Sequence, residues 1–203
     1  MVLKVFPLST EISVEGPPQG KWTFADWEKI SDDGNIYEVI NGVLYVSTSP
    51  SLFHNYMIRR LDQLVGMPAE QSGLAFAATD GVGVIMPGCE PVRPDFVIVL
   101  KEHASILDKK IEGVPDLIVE VLSPSNADYD EGVKLEAYAE GGVPEYAVVD
   151  PFKRQMRRYE LNALGKYSTP QVYEASDIVT FKCLPTISFR LSQLFEGAPT
   201  TKL

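Results

Sequence analysis

"VPDLIVEVLSPSN", residues 114–126, carries the central strand of the chain. Leu117, Ile118, Val119, Val121 and Leu122 make the near-continuous apolar run of a strand covered on both faces. Glu120 interrupts that run. A carboxylate buried in its ionised form among aliphatic side chains is costly unless a cation or hydrogen-bond donors meet it. Side chains alternate along a strand, so Asp116, Ile118 and Glu120 share one face. Asp116 lies roughly 13 Å from Glu120 along that strand, too far for the two to share one small ion. The partner of Glu120 must come from another element.

The flanking sequence supplies the elements. "SPSNADYDEGVKLEAYAEGG", 123–142, reads as a helix with Ser and Asn caps in front and Gly141-Gly142 at its end. "PEYAVVDP", 144–151, is a second buried strand, stopped by Pro151. "RPDFVIVLKEH", 93–103, is a strand upstream, and "DKKIEGV" after it reads as a surface loop. "IYEVINGVLYVS", 36–47, is a hairpin turning at Asn41-Gly42, the strongest short hairpin signal. The apolar spacing of residues 50–67 is helical, with Pro50 near its start, and "TFADWEKI", 23–30, is a short helix capped by Thr23. Residues 73–86 suggest strands, and 153–182 alternate like a meander. Residues 184–195 close the chain as a strand and a short helix, and 1–20 read as an extended arm. No repeat, low-complexity tract or long linker divides the 203 residues. The expectation is one α+β domain around one mixed central sheet flanked by helices, with 153–203 a β-rich extension of it.

Bulk properties narrow the function. No apolar run approaches the ~20 residues of a membrane span, and Lys4 and Pro7 break the N-terminal apolar patch, so a cytoplasmic location is expected. Cys89 and Cys183 stand far apart with no CxxC spacing, and only two histidines are present. A metal site here must rest mainly on oxygen ligands. A net charge of −10 argues against holding nucleic acid through a broad basic surface. It leaves room for an enzyme that meets a phosphodiester through a metal ion and a local cluster of positive charge.

Neighbouring strands lie about 4.8 Å apart, so Asp95 meets Glu120 if the register of the two strands allows it. Two carboxylates that close repel unless a cation lies between them. Mg²⁺ suits such a pair, because it takes oxygen ligands and keeps several waters, one of which is a latent hydroxide. Lys134, in the helix after the Glu120 strand, is the candidate positive group. Tyr138 follows it at i+4 on the same face.

The motifs "RPD" (93–95), "PDLIVEVLSPS" (115–125), Asp130, Lys134, Tyr138 and "GVPEYAVVDP" (142–151) resemble the Uma2 family (DUF820) of the PD-(D/E)xK nuclease superfamily, common in cyanobacteria. The hairpin "YEVINGVLY", the helix "SPSLFHNYMI" and the C-terminal "LPTISFRLSQLF" resemble it too. The resemblance implies a restriction-endonuclease-like core and metal-dependent hydrolysis of DNA. It implies Asp95 and Glu120 as carboxylates for Mg²⁺ or Mn²⁺, with Glu38 in the place of a third. It makes Lys134 the lysine that orients the attacking water, and gives His54 a phosphate-contact or outer role. In the wider superfamily a lysine stands two residues after the glutamate; here that position is Leu122. Cutting two strands would suit a homodimer. Two rivals stay open: an inactive nuclease fold used for binding or assembly, and a metal-dependent hydrolase of small phosphoesters.

Without the resemblance these residues have plainer readings. Glu120 and Lys134 would form a salt bridge, Asp95 would bond its own backbone, His54 would cap or pack a helix, and Glu38 would be an exposed strand residue. Tyr138 is expected to pack against the sheet. Asp130 suits the first turn of its helix, where negative charge is favoured. Asp116 is read as structural. Ser123 and Ser125 lack the G-x-S-x-G elbow of a nucleophile and read as cap or turn residues.

Overall fold

The computed structural model describes residues 14–47, 50–79, 81–123 and 127–199, together with the backbone of 4–6. In chain order it contains β1 (Lys4–Phe6), α1 (Phe24–Trp27), β2 (Ile36–Ile40), β3 (Val43–Ser47), α2 (Leu52–Leu61) and, after a π-helical turn (Asp62–Gly66), α3 (Met67–Gln71). Then come β4 (Ala75–Thr79), β5 (Val84–Met86), β6 (Cys89–Val92) and β7 (Phe96–Leu100), a 3₁₀ turn (Lys101–Ile106), β8 (Ile111–Glu112) and β9 (Leu117–Val121). A second π-helical turn (Tyr129–Val133) runs into α4 (Lys134–Gly141). The chain closes with β10 (Glu145–Asp150), β11 (Gln155–Glu160), β12 (Gln171–Tyr173), β13 (Ile178–Thr180), β14 (Ser188–Arg190) and α5 (Ser192–Phe195).

Among the described residues the strands form two six-stranded sheets and a separate pair, where a single sheet was expected. The first sheet, ordered β12-β11-β10-β9-β7-β4, holds the stretch quoted above. Within it only β9 and β10 run parallel, and α4 bridges them. The second sheet, ordered β1-β3-β2-β6-β5-β8, is built on the hairpin. Its turn has Asn41 at φ 49° and Gly42 at φ 72°, the left-handed pair that a two-residue hairpin requires.

The first sheet is the middle layer, as its aliphatic strands foretell. On one face Phe96, Ile98, Leu117, Val119, Val121, Ala147 and Val149 pack on Met57, Ile58 and Leu61 of α2 and on the C-terminal Phe181, Leu184 and Leu194. On the other, Val97, Val99, Ile118, Leu122, Tyr146 and Val148 pack on Ala137 and Tyr138 of α4 and on Val84, Met86 and Val92 of the second sheet. Glu120 lies between Ile118 and Leu122 on that second face. Gly142 adopts φ 89° and ends α4 in left-handed geometry. Glu145, buried at the start of β10, accepts the amides of Lys182 (2.9 Å) and Cys183 (3.2 Å) and faces Arg158 at 3.4 Å. It thereby ties the C-terminal strand pair to the main sheet.

Several boundaries differ from the sequence expectation. The strand expected over 93–103 is only β7, because Lys101–Ile106 wind into the 3₁₀ turn. The Asp116 carboxylate fixes that end, accepting the Leu100 amide at 2.7 Å and meeting His103 at 2.8 Å. The "DKKIEGV" loop contains the short strand β8, and the 50–67 helix continues to Gln71 through its π-turn. Pro50 lies just ahead of α2, and Ser51 caps the helix by accepting the His54 amide. Of the expected arm, residues 4–6 and 14–20 are described: β1 pairs parallel to β3, and the Gln19 side chain bonds the Leu44 backbone at 2.7 and 3.0 Å. The expected caps Ser125 and Asn126 lie outside the described residues.

Candidate active site

Register brings the two strands' acids together. Phe96 pairs with Val119 in the antiparallel β7–β9 ladder, and one further step sets Asp95 beside Glu120. The Asp95 amide donates to Glu120 Oε2 at 3.4 Å, and the Val121 amide donates to Asp95 Oδ2 at 2.7 Å. Asp95 stands just before the start of β7, so it is reached from both layers. From the α2 side, His54 Nε2 lies 2.9 Å from Asp95 Oδ1.

From the other side, α4 points Lys134 inward. Its Nζ donates to Glu120 Oε1 at 3.0 Å and lies 3.3 Å from Glu38 Oε1 and 3.7 Å from Asp130 Oδ1. Glu38 arrives from β2 of the second sheet, where the Arg93 amide (2.7 Å) and the Tyr129 hydroxyl (3.1 Å) also bond it. Tyr138, one turn beyond Lys134, donates its hydroxyl to Glu120 Oε1 at 2.8 Å. Burial is nearly complete: Glu120 is 1% exposed, Glu38 3%, Asp130 4% and Lys134 5%.

The structure thus brings together all five residues singled out in the sequence, Asp95, Glu120, Lys134, Glu38 and His54. It adds three that were given plainer duties or none. Asp130 faces the lysine, although it sits in the π-turn and helps that helix start. Tyr138 packs against the sheet as expected but also bonds Glu120. Tyr129 had no assigned role. The four-residue spacing of Asp130, Lys134 and Tyr138 signals their shared face, whereas nothing in the sequence marks Tyr129 as the partner of Glu38. Asp116 stays at the far end of β9 with His103, and Ser123 lies just beyond β9.

Four carboxylates around one ammonium leave the cluster short of positive charge, and the protonation equilibria respond. Burial pushes Glu120 well above the usual carboxylate range; Lys134 opposes this, and repulsion from Asp95, Asp130 and Glu38 adds to it. Burial likewise raises Asp130 to about 7, against the pull of Lys134. Burial would raise Asp95 too, but the charge and hydrogen bond of His54, with Lys134 and the Val121 amide, bring it below the ordinary value. Burial disfavours the charged form of Lys134, yet Glu120, Glu38, Asp130 and Asp95 together hold its pKa well above normal. Burial and the nearby Glu120 raise Tyr138, which therefore stays a hydrogen-bond donor.

A hard divalent ion suits this donor set. Among the described residues no three His, Cys, Asp or Glu side chains are gathered as a ready-made metal cage. Mg²⁺ does not need one, because it commonly binds through one or two carboxylates and keeps its waters. Adjacent Asp95 and Glu120 supply two, and the surplus negative charge favours a cation. Among the described residues no helix is long and apolar enough to cross a membrane.

Comparison with known proteins agrees with this architecture. The family model for Uma2, described as "Putative restriction endonuclease", matches residues 23–192. A crystal structure of a "putative nuclease belonging to DUF820" from Anabaena variabilis ATCC 29413 superposes with a TM-score of 0.74 at 14% identity. The match covers 86% of this chain and 97% of that one, so the two share a fold. No curated protein sequence matches the chain. With a family match running over residues 23–192, the chain belongs to the Uma2 family.

Proposed function

We propose that this protein is a metal-dependent endonuclease that hydrolyses DNA phosphodiester bonds. The observation that carries the proposal is the meeting of half-buried Asp95, beside the start of β7, and buried Glu120 of β9 with the buried Lys134 ammonium from the following helix. Asp95 and Glu120, with Glu38 as third acidic group, would hold Mg²⁺ or Mn²⁺. The bound ion would supply a water acidified for attack and a counter-charge for the phosphoryl oxygens. Lys134 would orient the attacking water and offset charge developing on phosphorus. Tyr138 and the Val121 amide fix the carboxylates, so little reorganisation is left for the reaction itself. His54 holds the Asp95 carboxylate in place at the rim.

The test is direct. Mn²⁺ titration calorimetry on the full chain should show a site that Glu120→Gln removes. Supercoiled plasmid should be cut only with metal, and not by Lys134→Ala. Metal binding with plasmid left intact, and a small phosphodiester turned over instead, would replace DNA with a small substrate. One observation favours a second reading. Leu122, two residues past Glu120 on the same face, is buried and apolar where the wider superfamily keeps its lysine. An inactive binding module of nuclease fold would follow if no metal binds at millimolar concentration.

A further inference from the structure

The nuclease reading leaves Asp130 without a task. Its Oδ1 lies 3.7 Å from the Lys134 ammonium, which Glu120 and Glu38 approach at 3.0 and 3.3 Å. Glu120 and Glu38 are strand residues and candidate metal donors. Asp130 alone of the three rides on the lysine's own helical segment, four residues ahead of it. That segment is firmly held. The Lys134 amide donates to the Tyr129 carbonyl across the π-turn, the Tyr146 hydroxyl donates to the Asp130 carbonyl at 3.0 Å, and Glu131 pairs with Arg157. π-Turns inside helices recur at functional sites. Here the turn keeps Asp130 and Lys134 on one side, both aimed at the end of β9.

A dication drawing on Glu120 and Glu38 removes two of the lysine's three near partners and repels its ammonium. Only Asp130 then remains within ion-pairing distance among the described residues. We propose that Asp130 is a positioning residue: it seats the Lys134 ammonium at the edge of the site once a divalent ion is bound, while Glu120 and Glu38 hold it only in the metal-free protein. This rests on the nuclease reading for the presence of the ion.

Mn²⁺ calorimetry on full-length wild type, Asp130→Asn, Lys134→Met and the double variant tests it. With Lys134 present, Asp130→Asn should weaken Mn²⁺ binding about tenfold, because the ion must displace an ammonium that has no second seat. In the Lys134→Met background the same change should cost less than about twofold. Equal losses in both backgrounds would make Asp130 a direct metal ligand and overturn this inference alone. Wild type failing to bind Mn²⁺ would overturn the nuclease reading as well. A second measurement needs no variant: nitrogen-15 NMR of the Lys134 side chain during Mg²⁺ titration. The ammonium resonance should persist at saturation, and its loss to rapid solvent exchange would show the lysine ejected and the inference wrong.

Discussion

Lys134→Met is the most informative single perturbation. It keeps the side-chain length and removes the one ammonium that Glu120, Glu38 and Asp130 share. Removing one partner of a buried ionic cluster costs about 3–5 kcal/mol, because the opposite charge stays buried. For a chain of this size that lowers Tm by roughly 6–20 °C near pH 8. The loss must depend on pH, and its sign follows from the carboxyl groups. Asp130 goes from its ordinary 3.8 when unfolded to about 7 in the native state. Its contribution is therefore intact below the unfolded value and disappears as pH rises through the folded one, on the order of 4 kcal/mol in all. Glu120 is shifted the same way. At pH 5 both take up protons, and the variant sheds the uncompensated charge. Urea denaturation of wild type and variant at pH 5 and pH 8 should show a deficit at the lower pH about half or less of that at the higher. Equal deficits, or one below about 1 kcal/mol at pH 8, would refute the idea that a shared ammonium neutralises this cluster.

Other expectations follow from the same coordinates. On the proposed metal site, Mg²⁺ should raise Tm more at pH 8 than at pH 5.5 by differential scanning calorimetry, because protons and metal would compete for Glu120. Tyr138→Phe deletes a 2.8 Å hydrogen bond to a buried carboxylate and should cost about 1–3 kcal/mol in urea unfolding, with the fold retained. Gly42→Ala should destabilise by at least about 1–2 kcal/mol by thermal melt, since φ is 72° and a Cβ would meet Gly20 backbone atoms at 2.7 Å. Glu145→Ala strips the acceptor from the Lys182 and Cys183 amides, so hydrogen exchange over 178–190 should accelerate well before the rest of the first sheet.

What the sequence revealed was mostly local. The Asn41-Gly42 turn, the aliphatic run at 117–122 and the Gly141-Gly142 helix stop are written in single residues whose backbone preferences leave few choices. The carboxylate in that aliphatic run also announced itself, because burial without a partner is so costly. The ladder register beyond Phe96 was not legible. Strand alternation says which face a residue takes, not which residue it meets across the gap. The division into two sheets was hidden for the same reason, since β5 and β6 look like neighbours of β4 and β7 in sequence yet join the hairpin's sheet, β6 by pairing with β2 and β5 by pairing with β6. Asp130 and Tyr138 were visible as a four-residue repeat with Lys134, but their chemistry emerged only once Glu120 and Glu38 were placed beside them. Tyr129 had no sequence signal, because its partner Glu38 lies 91 residues away.

The lysine at the heart of the carboxylate cluster has one more consequence, for how the protein comes into being. Small zinc-dependent domains stay unstructured until their ion arrives. Here the polypeptide brings an internal counterion of its own in Lys134, so folding does not wait on a bound metal ion. Synthesis under chelating conditions should therefore yield a correctly assembled molecule, which on the proposed function would be idle until the ion is supplied.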